Sequence, residues 1–110
     1  MLTTLRGHCD VSMARVHVRA ASAAYAIGDH VDHFFDMSEL GGYDTGARIE
    51  LTKFAIANRA HVHSAHFFVT HRIVAMGVAT ASLAARLVGL DFVVHRERAP
   101  FFAEMERVAR

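Results

Sequence analysis

The sequence predicts an α/β fold: a small domain with a four-stranded, mostly parallel sheet and the element order βαβαβαβα. Short apolar runs alternate along the chain with longer segments of helical spacing, which is typical of βαβ units. The second, third and fourth apolar runs are nearly continuous, as expected for strands that are buried on both faces. The chain has 110 residues, 53% of them hydrophobic. That length suits one domain with a real core rather than two domains.

The amino-terminal unit is predicted to be a weak strand over residues 1–5 followed by a helix over residues 11–27. Gly7 is expected to end the strand, and the helix carries its apolar side chains on one face. Residues 15–19 also alternate in polarity like a half-buried strand, but the alanine-rich continuation favours a helix. The predicted helix boundaries are Asp10 or Ser12 as the N-cap and Gly28 with Asp29 as the stop.

The rest of the chain continues the alternation of strands and helices. Gly89 is expected to end the third helix, and Pro100 to lie near the start of the last one, where its missing N–H is tolerated. The predicted elements are a strand over residues 31–37, a glycine-rich loop, a helix over 45–60, a strand over 65–70, a helix over 73–88, a strand over 90–95 and a final helix through residue 108.

The loop before the second helix is the predicted functional site. It contains glycines, an acid and a hydroxyl, and strand ends that feed helices are where open α/β sheets meet ligands and partners. The helix beginning at Thr45 leaves its first N–H groups unpaired, which suits an anion or a phosphorylated hydroxyl. The predicted partner-binding residues are Ser38, Gly41, Gly42, Tyr43, Asp44, Thr45, Gly46 and Arg48.

The same stretch resembles the STAS domain, which occurs in anti-sigma-factor antagonists and in the cytoplasmic tails of sulphate transporters. The family signature reads Asp-Leu-Ser and then, a few residues later, Asp-Ser-Ser-Gly-Leu. The matching segments are Asp36-Met37-Ser38 and Asp44-Thr45-Gly46-Ala47-Arg48. Residues 5–10 resemble the family's Gly-Glu-Leu-Asp segment, and residues 87–90 resemble its Ser-Gly-Leu stretch before the last strand. The resemblance covers about residues 2–105.

The resemblance implies a single STAS-like domain over residues 1–110 that acts in signalling as a non-enzymatic protein-interaction module. Its expected partner is a kinase or a sigma-regulator-like protein. The family has a further strand before the Gly-Glu-Leu-Asp segment, and we expect this chain to lack all or part of it. In an ungapped alignment with the family signature, Gly46 occupies the usual phosphoacceptor position. Shifting the alignment by one residue places Thr45 there instead. Thr45 is therefore the candidate phosphosite, with partial or no phosphorylation expected.

Several alternative interpretations of these residues stay open. Asp44 and Thr45 could serve only as a helix cap, form a phosphoswitch or belong to a constitutive docking loop. A second function is small-molecule binding in a pocket between Gly41-Gly42 and Arg48. A third is a metal-dependent enzyme, since imidazoles at i and i+2 of an extended stretch point the same way. The histidines concerned are His61, His63 and His66.

We nevertheless expect no enzyme, no cofactor and no metal site. No cysteine or carboxylate lies close in sequence to that histidine cluster to complete a metal-binding set. Strand alternation turns Cys9 away from its neighbours His8 and Asp10, so the thiol lacks a base. No catalytic residue is assigned.

Charge and hydropathy limit the partners. The net charge is +1, so no basic groove for nucleic acid is expected. One cysteine and no visible signal peptide suggest a cytoplasmic protein. The longest uncharged run, residues 73–85, is shorter than the about 20 residues that span a bilayer, so no membrane segment is expected. That run lacks a solvated face, and we expect a homodimer through the helix over residues 73–88.

Overall fold

The chain forms a four-stranded parallel sheet whose strand order follows the chain order. A computed structural model describes residues 1–28 and 30–109. The predicted α/β architecture with four strands and four helices is confirmed. The elements are β1 Leu2–Cys9, α1 Val11–Ile27, β2 Val31–Tyr43, α2 Thr45–Ala57, a 3-10 turn Arg59–His61, β3 Val62–Val69, α3 Arg72–Arg86, β4 Phe92–His95 and α4 Arg98–Ala109.

Helices cover both faces of the sheet. Each of the three crossover helices joins neighbouring strands, so crossovers of one hand place α1, α2 and α3 on the same face. On that face Phe67 and Val69 of β3 belong to the main hydrophobic core. Phe34 and Phe68 point the other way and pack against Phe101 of α4. Alternating side chains of the central strands thus fill two separate cores, as the apolar runs predicted.

The first two strands are longer than predicted. Gly7 does not end β1: it adopts φ 74° inside the strand, next to a register shift, and the strand continues. β1 pairs with β2 in parallel as far as Cys9 and Tyr43. The predicted loop between residue 37 and α2 is therefore largely strand, because Ser38–Tyr43 runs alongside the extra residues of β1.

The first helix has the predicted bounds, and Asp10 is its N-cap. Its side chain accepts a hydrogen bond from the Met13 backbone N–H at 2.8 Å, which satisfies one of the free donors of the first turn. The backbone leaves the helix at Gly28 with φ −131°. Asp29, the other residue expected at this stop, lies outside the described residues.

The second helix and third strand meet earlier than predicted. α2 ends at Ala57 rather than at residue 60, because the Asn58 side-chain amide donates to the Phe54 carbonyl and the chain enters the 3-10 turn. β3 therefore begins at Val62 rather than at residue 65 and pairs with β2 along more of its length.

The last two helices also differ at their ends. α3 stops at Arg86 rather than at residue 88, and the Leu90 N–H then bonds to the Ala85 carbonyl around Gly89 at φ 84°. β4 begins at Phe92 rather than at residue 90. α4 begins just before Pro100. None of the helices in the described ranges is both long and apolar enough to cross a membrane.

Helix α2 lies above the sheet rather than on it. It packs mainly against α1 and α3 and makes few contacts with any strand. Ala47 is its only fully buried residue among those described. Leu51 packs against the main core and Phe54 stacks on Tyr25 of α1, and both stay half-buried. This arrangement leaves space between α2 and the strands.

Candidate functional site

The β2–α2 junction lies at the carboxyl-terminal edge of the sheet, where parallel α/β sheets usually bind. The last register pair between β2 and β3 is Met37 with Val69. Beyond it β2 is paired in the ladder with β1 alone, and Thr70 Oγ1 donates to the Ser38 carbonyl at 2.7 Å. The predicted site is thus held by a two-stranded extension of the sheet instead of a loop.

Polar and charged side chains pair with one another where β1 and β2 end. Arg6 Nε donates to Glu39 Oε2 at 2.6 Å, and His8 Nε2 lies 2.7 Å from Asp44 Oδ1. More than half of each of these four side chains is exposed. Together with the exposed residues beside them they form a mixed-charge area that we call the junction surface. Its members are Arg6, His8, Glu39, Gly41, Asp44, Thr45 and Gly46.

Asp44 does not cap α2 with its side chain. It occupies the N-cap position with extended backbone angles, but its carboxylate makes no hydrogen bond to the first turn. The carboxylate instead accepts from the His8 imidazole. Thr45 is the first residue of α2, and it is exposed. The Thr45 hydroxyl is therefore accessible at the positive end of a helix.

The remaining predicted residues turn away from the outer surface. Ser38 is half-buried and donates its hydroxyl to Asp36 Oδ1 at 2.6 Å. The Tyr43 ring packs directly on Gly77 of α3, where an added Cβ would come within 2.5 Å of the ring. Gly42 is half-buried, and Arg48 is half-buried on α2. The predicted set is thus divided between the junction surface and the layer beneath it.

The histidine cluster does not converge on one point. The His61 ring stacks on Tyr25 at 5.2 Å between centroids, and His63 Nδ1 lies 2.8 Å from Asp32 Oδ1. His66 is buried on the other sheet face, under α4. Within the described ranges, no three histidine, cysteine or acidic side chains are grouped to hold a metal ion.

A serine, a histidine and an aspartate do meet at the opposite edge of the sheet. Ser64 Oγ donates to Asp32 Oδ1 at 2.5 Å, and His63 contacts the same oxygen. Burial opposes ionisation of Asp32, but the hydrogen bonds from Ser64 and His63 outweigh it and lower the pKa of the carboxyl. Since Ser64 donates to a carboxylate and not to an imidazole, this is not the arrangement of an activated nucleophile.

The Cys9 thiol is poorly suited to nucleophilic chemistry. It is buried at the end of β1. Burial raises its pKa, and the negative charges of Asp10 and Asp44 raise it further. A thiol with a raised pKa supplies little thiolate at neutral pH.

A cavity of about 100 Å³ lies between the sheet and helices α1, α2 and α3. Its lining is mostly aliphatic and aromatic. Tyr43 and Arg48 reach it from the junction, whereas Gly41 and Gly42 are not among its lining residues. The small-molecule hypothesis therefore finds its space in the interior and not in the glycine segment.

Two buried histidines line this cavity, and the sequence interpretation did not include them. His17 and His33 are 6% and 4% exposed, and burial lowers the pKa of each imidazole to about 4. The charges of His17 and of the amino terminus lower the pKa of His33 further. Helical spacing puts His17 on the same face as Ala14 and Ala21, which is the signal that could have placed it inside.

No protein-family model matches the chain, and no curated protein or solved structure matches it either. The resemblance to STAS domains therefore remains a prediction from the quoted segments.

Proposed function

We propose that this chain is a cytoplasmic, non-enzymatic regulatory module of the anti-sigma-factor-antagonist kind that docks a protein partner through the junction surface. The observation that carries the proposal is the exposed pairing of Arg6 with Glu39 and of His8 with Asp44 where β1 and β2 end. Pairs left in water contribute little to stability, so these side chains stay available to a partner.

The shape and chemistry of this area favour a protein partner. Both signs of charge are present, and such patterns steer encounter and fix the register of a complex. Gly41 and Gly46 are exposed beside these polar side chains. A kinase or a sigma-regulator-like protein with the complementary charge pattern is the proposed partner.

Self-association through α3 is part of the same proposal. An apolar stripe on its outward face consists of Ile73, Met76 and Leu83, with the exposed Thr80 between Met76 and Leu83, and Leu87 follows directly after the helix. The four apolar side chains are 54%, 61%, 67% and 88% exposed. Contiguous apolar patches of more than a few hundred Å² are uncommon on monomers. A second copy of the chain is the proposed occupant, because the stripe is uncharged and would meet itself across a two-fold axis.

Site-specific photocrosslinking in the native host tests the docking surface. A photoreactive residue at Glu39 or at Thr45 should give a discrete adduct with one partner protein. The same residue at Lys53, which is exposed on α2 but outside the junction surface, serves as the matched control and should give no such adduct. Adducts from Lys53 alone, or none from Glu39 and Thr45, would place docking elsewhere.

A further inference from the structure

We propose that the cavity beneath α2 binds a small, uncharged and mainly apolar molecule, about the size of one substituted ring, with a single hydrogen-bonding group directed to His33. This inference is independent of the docking function. It rests on the volume of the cavity, its lining and one buried polar atom that lacks a partner.

The volume is large for the layer between a sheet and its helices, and the cavity is partly open to solvent. Close-packed cores hold few voids larger than a water molecule. The cavity measures about 100 Å³. In another protein an engineered apolar cavity of about 150 Å³ stays dry and binds benzene. The comparison sets the size of the expected occupant at one small ring or a short, slim chain.

The lining determines the chemistry of the occupant. Phe35 and Phe67 from the sheet, Leu51 and Phe54 from α2, and Val78 and Ala81 from α3 provide apolar walls. Among the described residues that line the cavity, Arg48 alone has a permanent charge, and it is half-buried on α2. An occupant without charge fits these walls best, since burying an unpaired ion is costly.

The polar end of the cavity is formed by Tyr25 and His33. The Tyr25 hydroxyl lies 2.7 Å from His33 Nε2, so that nitrogen is already paired. His33 Nδ1 is buried and has no hydrogen-bond partner among the described residues. The imidazole is neutral at pH 7, because burial lowers its pKa to about 4. A ligand hydroxyl can donate or accept, so it would satisfy Nδ1 in either tautomer once a small movement of the buried ring brings that nitrogen to the cavity surface.

Toluene and phenol are the probes, because they have nearly the same shape and differ by a methyl and a hydroxyl group. We expect both to give saturable shifts of backbone amides such as those of Leu51 and Val78 in NMR titrations of the purified chain. Each should also raise the melting temperature, since a ligand that binds only the folded state stabilises it. Absence of saturable shifts with both probes would refute the site.

Filling the cavity from the protein side tests its location. Ala81→Leu should weaken the binding of both probes by at least about tenfold, because the added carbons occupy the same volume. Ala55→Leu, from the half-buried face of α2, gives a second test if Ala81→Leu does not fold. Ala79→Leu is the matched control, since Ala79 is exposed on the same helix as Ala81. Unchanged affinity in both filled variants would show that the probes bind elsewhere.

The polar end is tested by His33→Phe. The ratio of phenol affinity to toluene affinity should fall by roughly three- to tenfold, which corresponds to one hydrogen bond. Toluene affinity itself should be retained. An unchanged ratio would overturn the assignment of His33. Tighter binding of benzoate than of phenol, lost in Arg48→Gln, would instead make Arg48 the anchor and the ligand an anion.

Discussion

The Asp44 carboxylate accepts a hydrogen bond from His8 Nε2 at 2.7 Å and makes none to the helix that it precedes. Asp10 holds the corresponding position before α1 and does cap its helix, through the Met13 N–H at 2.8 Å. Two aspartates at equivalent positions of successive βα units therefore have different roles. One stabilises the fold, and the other presents its charge at the surface.

This difference predicts unequal costs of truncation. Asp10→Ala should lower the free energy of unfolding by about 1 kcal/mol, the usual value of an N-cap. Asp44→Ala should lower it by about 0.5 kcal/mol or less, as for an exposed ion pair. Urea unfolding of both variants measures the difference. An equal or larger loss for Asp44→Ala would mean that the carboxylate is structural.

The buried histidines should make the fold sensitive to acid. The pKa of His33 is about 4 in the folded chain, against an ordinary value of 6.5. Between these values the unfolded chain binds more protons, so stability falls as the pH falls. From pH 7 to pH 5 this one group should remove about 2 kcal/mol.

The variant His33→Phe should not lose this stability between pH 7 and pH 5. Between pH 7 and pH 5, its free energy of unfolding should fall by about 2 kcal/mol less than that of the wild type. His30→Gln is the control, because His30 is exposed. Urea unfolding at the two pH values measures all three proteins. Parallel pH dependence in His33→Phe and the wild type would show that His33 titrates normally.

The apolar stripe on α3 should support a dimer that a single charge disrupts. The wild type is expected to be a dimer by light scattering at tens of micromolar, and Met76→Glu or Leu83→Glu should be a monomer. Ala57→Glu, exposed on α2, should stay a dimer. Ala81 would be a poor choice because it is buried. A monomeric wild type at this concentration would end the proposal.

Phosphorylation should favour Thr45 over Ser38. The helix start at Thr45 stabilises a phosphate, and its hydroxyl is exposed. The Ser38 hydroxyl is half-buried and already donates to Asp36. Mass spectrometry of the chain from its host should find partial or no phosphate on Thr45, and any that is found should be lost in Thr45→Ala and kept in Ser38→Ala. Phosphate on Ser38 alone would reverse the assignment. If neither residue carries phosphate, docking is constitutive and is not regulated by phosphorylation of this site.

The sequence predicted well those elements whose apolar spacing and capping residues lie within one segment. The helix over Val11–Ile27 was predicted with its bounds, because its spacing and its Asp10 cap lie within one segment. The strand over residues 38–43 was missed, because Gly41 and Gly42 are poor strand formers and pairing with the distant β1 on both sides of Gly41 holds this stretch in the sheet. Pairing between distant segments leaves no local signal.

The interior of the site was also hidden from the sequence. In the sequence, His17 and His33 cannot be told from exposed polar residues. They are buried only because α1 and β2 pack together and exclude water from both. The cavity arises because α2 packs on its neighbouring helices rather than on the sheet. Neither property follows from the residues of one segment alone.

Quantitative capture of partners from the host most directly tests the proposed docking function. Wild-type chain, Asp44→Ala and Asp91→Ala would be compared under identical conditions, because Asp91 is an exposed aspartate outside the junction surface. Asp44→Ala should recover about tenfold less of its main partner than the wild type does, equivalent to 1.4 kcal/mol of binding free energy. Asp91→Ala should recover as much as the wild type. Equal recovery by Asp44→Ala and the wild type would contradict docking through the β2–α2 junction.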